Sequence, residues 1–157
     1  KYLNIMKKKN LIISLILILF VYGCGYSPIF SNKDSNFSIY ELSTSGNSKL
    51  NKIISSRLNN YISSDKKKKF SIVIETNLNK ITASKDSKGN PKTYRITLMS
   101  NVLIKDSKGN TKNKLFSKSL DYNNKSNKSD LKKYENQNSI NLAEKISEEI
   151  IVFLQSI

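Results

Sequence analysis

Histidine and tryptophan are absent from the 157 residues, and cysteine occurs once, at position 24. Without imidazole, the commonest general acid–base group and a usual zinc ligand are both missing. A lone cysteine leaves no disulfide framework to build on. No Gly-rich phosphate loop is present either. These gaps point away from an enzyme, a cofactor or a metal centre, and towards a protein that works by binding. Acidic residues are few, 12 against 27 Lys and Arg, which sets the formal charge at +15. Long apolar runs are scarce as well. The longest, Leu11 to Tyr22, is about a dozen residues, short of the ~20 that cross a bilayer as a helix.

What is present starts with that run. Lys7, Lys8 and Lys9 precede it and Gly23-Cys24-Gly25 follows, the basic, apolar and small-residue order of a secretory leader. Lys1 to Ile5, ahead of Met6, are expected to be a start-site artefact. Val21-Tyr22-Gly23-Cys24 resembles the lipobox of bacterial lipoproteins, with Tyr22 bulkier than the small residue usual there. That resemblance implies a signal peptide over residues 1–23, cleavage before Cys24, and acylation of Cys24. Two or more acyl chains hold a protein stably where one holds it marginally. Residues 24–36 are then a lipidated tether. Gly25, where an Asp would mark retention at the inner membrane, implies the periplasmic face of the outer membrane. Losing residues 1–23 removes four lysines and no acidic residue, leaving +11 on about 134 residues, the size of one domain. Such basicity in a cytosolic protein would suggest nucleic acid. Export leaves anionic lipid headgroups or an acidic protein surface instead. The crowding of Lys, Asn, Ile and Ser is also what an AT-rich genome produces.

Along the remaining chain, residues 37–157, periodicity predicts six elements. Phe37 to Leu42 is a short strand with Phe37/Ile39 and Tyr40/Leu42 on its two faces, a pattern that suits a central strand or one covered on both sides. Leu50, Ile53, Ile54, Leu58, Tyr61 and Ile62 form the apolar stripe of a helix of about four turns, capped by Asn47 or Ser48. Phe70, Ile72, Ile74, Thr76 and Leu78 alternate as a half-buried strand. The phase slips at Ile81, which suggests a bulge or strand end near Asn79 and Lys80. Tyr94 to Ile104 alternates likewise, and Phe116, Leu120 and Tyr122 form a weaker third run. Asp-Ser-Lys-Gly-Asn occurs at 86–90 and again at 106–110. With Asp to start the turn and Gly where φ turns positive, both copies read as hairpin loops and not as metal loops. A last helix, capped by Ser129 or Asp130, carries Ile140, Ala143, Ile146, Ile150, Phe153, Leu154 and Ile157 on one face. Its start, Leu131 to Asn138, is expected to be weaker. The expected fold is α+β with the order β-α-β-β-β-α. Two amphipathic helices pack on one face of a small, mostly antiparallel four-stranded sheet, making a two-layer sandwich.

Cys24-Gly25-Tyr26 with Pro28-Ile29-Phe30, the lipobox and this element order together resemble the LPS-assembly lipoprotein family, LptE. The resemblance implies recognition without chemistry: a lipoprotein that assists assembly of, and plugs, an LptD-type outer-membrane β-barrel and binds lipopolysaccharide. Lys85, Lys88, Lys92 and Arg95 around the first hairpin are the candidate lipopolysaccharide contacts. Lys105, Lys108, Lys112 and Lys114 lie at the opposite tip. The alternative is an accessory lipoprotein of another lipid-transport or secretion complex. A carboxylate enzyme would need two acids in one place, and Asp86 and Asp106 fall at different tips.

Overall fold

The computed structural model describes residues 35–62 and 66–157. The expected signal peptide, Cys24 and all but the last two residues of the expected tether lie outside the described residues. The elements are β1 (Phe37–Gly46), α1 (Ser48–Leu58) continued by a 3₁₀ turn (Asn59–Tyr61), β2 (Lys68–Lys85), β3 (Pro91–Asp106), β4 (Thr111–Asn123) and α2 (Lys128–Ser156). The order is β-α-β-β-β-α, as the periodicity predicts. The sheet runs β1-β2-β3-β4. β2, β3 and β4 form an antiparallel meander, whereas β1 pairs with β2 in parallel. A parallel pair needs a crossover connection, and α1 supplies it.

Alternation explains the layers. Phe70, Ile72, Ile74 and Thr76 of β2 face the helices, as do Ile96, Leu98, Ser100, Val102 and Ile104 of β3. They meet Leu50, Ile54, Leu58 and Tyr61 from α1, and Leu142, Ala143, Ile146, Ile150, Ile151 and Leu154 from α2, in one core. Phe37 stacks on Tyr61 with ring centres 4.9 Å apart, which ties the start of β1 to the end of α1. Each fully buried aliphatic side chain contributes about 1.5–3 kcal/mol relative to exposure. Leu142 and Ile151 join the buried stripe of α2, while Ile140 and Phe153 are only half-buried. Ile62, counted with the α1 stripe, is exposed just beyond the 3₁₀ turn.

Two expectations about the strands are corrected. β1 is an edge strand, not a central one. Its apolar residues look two-faced because a bulge at Tyr40 shifts the register between Ile39 and Glu41. Ile39 lies beside Phe70 and Leu42 beside Ile72, both on the helix side, while Tyr40 is exposed. An inserted residue resets the parity of everything after it. In β2 no irregularity occurs at Asn79 and Lys80. Pairing with β3 continues unbroken to Thr82, and the irregularity falls between Thr82 and Lys85. Ile81 points to the outer face and is exposed. Lys80 takes the inner position, where its ammonium lies 4.1 Å from the centre of the Tyr94 ring.

The helix starts follow local hydrogen bonding. Asn47 caps α1, its side chain accepting from Leu50 N. Asn127, not Ser129 or Asp130, caps α2, and its Oδ1 accepts from the backbone of both those residues. A side chain one position before the helix is the one that reaches its free amides. From there α2 is helical throughout. Buried Leu131 and the bonds of Glu135 to Lys80 and Tyr122 hold its first half.

Candidate functional site

The sheet has a second face, over which none of the described elements lies. Ser43, Ser45, Ser71, Asn77, Asn79, Thr97, Asn101, Asn113, Ser117 and Ser119 are the largest group on it, by strand register. Val73 and its cross-strand partner Leu103 are each 42 % exposed there, and Leu115 is 59 % exposed. Glu41, Glu75, Arg95, Lys105 and Asp121 bring charge of both signs to it. Glu41 accepts a hydrogen bond from Ser71 at 2.7 Å. Arg95 donates from Nε and Nη2 to the two Asp121 oxygens at 2.6 and 2.8 Å. That fork-to-fork pairing holds the Asp121 carboxyl below its usual range and raises the guanidinium further, through the hydrogen bonds first and the charge second. The result is a broad, almost neutral surface of hydroxyls and amides with a small apolar centre.

Positive charge sits at the two ends of the sheet. At the β2–β3 end, Lys85 closes β2 opposite Pro91, Lys88 is inside the loop, and Lys92 is the second residue of β3. All three are exposed. The structure thus gathers Lys85, Lys88 and Lys92 at one tip. Arg95 lies further along β3 and is engaged by Asp121. A tyrosine cluster stands below the tip. Tyr94, Tyr122 and Tyr134 follow one another with ring centres 5.8 and 5.9 Å apart, and Lys125 sits 4.5 Å from the Tyr134 ring centre. Tyr122 donates to Glu135 at 2.9 Å. Burial, and then that carboxylate, push its hydroxyl well above the usual phenol range.

The β3–β4 end is concave. Lys67, Lys68, Lys69, Lys108 and Lys112 surround a cleft of about 400 Å³ floored by Phe70, Ile104 and Ile157. The carboxylate lining it, Asp106, is used by its own loop. Its Oδ1 accepts from Lys108 N and Asn110 N at 2.8 and 2.9 Å, and its Oδ2 from Asn110 Nδ2 at 2.8 Å. Asp86 does the same for the first loop. Both carboxyls are held below their usual range by these bonds, led by Asn110 for Asp106 and by the Asn90 amide for Asp86. The repeated pentapeptide therefore builds one turn twice, at opposite ends of β3, with Gly89 and Gly109 at φ +83° and +88°.

Residue-by-residue reading misses this cleft because its two halves are distant in the chain. Lys67 to Lys69 stand just ahead of Phe70, and Lys108 with Lys112 some forty residues later. The signal was available in the meander itself. If β2 and β3 are antiparallel, the first residue of one lies beside the last of the other, and here Phe70 pairs with Asp106.

No family model matches the chain, and no curated protein is similar to it. Solved structures are similar in fold. Rare lipoprotein B from Shewanella oneidensis superposes with a TM-score of 0.60 at 16 % identity, covering 76 % of this chain and 95 % of that one. A minor lipoprotein from Acinetobacter baumannii gives 0.52 at 12 %, over 78 % and 92 % of the two chains. Lipoprotein B from Nitrosomonas europaea gives 0.52 at 8 %, over 81 % and 88 %. What this chain shares with these bacterial lipoproteins, at such identities, is the fold.

Proposed function

We propose that the protein is a cell-envelope lipoprotein, anchored through Cys24 at the periplasmic face of the outer membrane, that assists and plugs an LptD-type β-barrel translocon and binds lipopolysaccharide without catalysing a reaction. The observation that carries this reading is the uncovered sheet face. An exposed face on which Ser, Thr and Asn outnumber the charged residues is suited to the polar interior of a large barrel, whereas a face meant for bulk water is ordinarily rich in Lys and Glu. The lipobox-like Val21 to Cys24 and a fold shared with bacterial lipoproteins support the same reading. Lysines at the β2–β3 tip would meet lipid A phosphates through charge-assisted hydrogen bonds. Of the four candidates, Lys85, Lys88 and Lys92 have the geometry to do so, and Arg95 acts with Asp121 as a neutral pair.

The test is isolation of the acylated protein from detergent-solubilised membranes and identification of what accompanies it. A barrel of the translocon type, retained at stoichiometric level, is the expected result. An inner-membrane or secretion complex in its place would favour the second reading, an accessory lipoprotein of another envelope machine.

A further inference from the structure

We infer that the β3–β4 end of the domain is its membrane face, where the cleft ringed by Lys67, Lys68, Lys69, Lys108 and Lys112 takes the phosphate of anionic phospholipid headgroups in the leaflet that holds the Cys24 acyl chains. This rests on the reading of Cys24 as lipidated, and adds to it an orientation and a second point of contact for the acylated protein before it occupies a barrel.

Four observations converge on it. The chain enters the domain at this end: Phe37 pairs with Lys68 and Ser38 with Lys69, and Asn36 Nδ2 donates to the Gln155 carbonyl at 3.1 Å. Ten residues, 25–34, separate Cys24 from the first described residue, and no such segment extends beyond roughly 40 Å. The lysine rim therefore starts within that reach of the bilayer. The opposite tip, from Lys69 to Lys85 along β2, lies roughly 50 Å further away. Only one basic end can face the surface when the domain stands upright, and it is the tethered one.

The chemistry of the cleft fits a headgroup. Five lysines line the cleft, with Lys68 Nζ donating to the Ile157 carbonyl oxygen, while the Asp106 oxygens are turned into the loop. Beneath them Phe70, Ile104 and Ile157 offer an apolar floor, and about 400 Å³ accommodates a phosphate with the glycerol and first methylenes behind it. Acyl chains alone fix where a protein is and leave it free to pivot. A basic patch beside the anchor adds attraction that is short-ranged and salt-sensitive.

The twin turns supply a matched test. The acylated protein carrying Ser107→Cys, or separately Ser87→Cys, is labelled with one fluorophore. It is reconstituted into phosphatidylethanolamine vesicles with and without phosphatidylglycerol, each holding a headgroup-labelled quencher. Phosphatidylglycerol should quench the Ser107 probe at least about threefold more than the Ser87 probe, and ~0.5 M NaCl should abolish the difference. Lys108→Gln with Lys112→Gln, both exposed, should remove most of it. Equal quenching at the two positions, no dependence on phosphatidylglycerol, or a Ser107 response only to added lipopolysaccharide or inorganic phosphate would overturn the inference. The intact mass of the same preparation reports Cys24 acylation separately, so failure of the anchor and failure of the membrane face give different results.

Discussion

A Cβ built on Gly46 would stand 2.0 Å from the carbonyl oxygen of Thr76. Gly46 ends β1 at φ +88°, directly beside Thr76 in the parallel register. Around this approach the polar groups are tightly used. Asn47 N donates to both Thr76 oxygens at 3.2 Å, Thr76 Oγ1 donates to Asn51 at 2.7 Å, and Asn51 Nδ2 donates to the Ser45 carbonyl at 2.8 Å. Gly46→Ala should therefore destabilise the fold by about 3 kcal/mol or more, combining left-handed strain with a backbone collision. Gly89→Ala and Gly109→Ala share the strained φ but meet open space, and should each cost only about 1–2 kcal/mol. Urea midpoints of the three variants give the comparison, and equal losses would contradict it.

Ser100 makes the opposite case. Its hydroxyl is buried in the centre of β3 and has no hydrogen-bond partner among the described residues. Burying an unpaired hydroxyl costs about 1–3 kcal/mol. Ser100→Ala is expected to raise stability by about 1 kcal/mol, and a loss on thermal unfolding would show that the hydroxyl is being used.

Acid should loosen both hairpins. The carboxyls of Asp86, Asp106 and Asp121 are all depressed in the folded chain. A depressed carboxyl contributes stability that is fully present above its unfolded value of about 4 and is lost as pH falls through the folded one. Stability should thus decline on acidification below about pH 4. The Asp86→Asn, Asp106→Asn, Asp121→Asn triple variant, which keeps an acceptor at each site, should show a flatter acid limb in urea titrations across that range. An unchanged slope would dissociate these turns from acid sensitivity.

Alkali has a different target. Tyr122 is raised by burial and by Glu135, and Tyr61 by burial. Groups raised in the fold lend stability that is fully present below their unfolded value, about 10, and is lost as pH rises through the folded one. Tyrosinate absorbance should therefore lag behind that of the unfolded chain above about pH 10. Tyr122→Phe should remove some of the lag. Complete titration of all tyrosines before unfolding would refute the buried placement.

Lipopolysaccharide binding should depend on the far tip. Replacing Lys85, Lys88 and Lys92 together by Glu is expected to weaken binding by about tenfold or more while circular dichroism stays unchanged. Arg95→Gln should do less, since Asp121 already satisfies the guanidinium. Unaltered affinity in the triple variant would remove this tip from the ligand site.

Element order and the helix-side residues of β2 and β3 are readable in the sequence because a buried face imposes a period of two or 3.6 on it. Where the reading strays, a single local feature intervenes. Tyr40, inserted as a bulge, makes an edge strand look two-faced. Lys80 occupies a core-side position by lying over Tyr94 and bonding Glu135, so the apolar rhythm breaks without any break in the backbone. Asn127 displaces Ser129 and Asp130 as cap, one of several polar residues in a row that composition cannot rank. The candidate site is legible only in halves. Each cluster of lysines is visible, but strand pairing decides which clusters meet, and that is a long-range property.

The parallel pairing of β1 with β2 has a mechanical side. Any pull on the tether enters at Phe37 and runs along the strand axis. Nine register pairs, from Phe37–Lys68 to Gly46–Thr76, then bear the load together in shear, where a hairpin pulled from its open end would unzip rung by rung. An anchor at Cys24, as proposed, would thus load the seam best able to withstand tension.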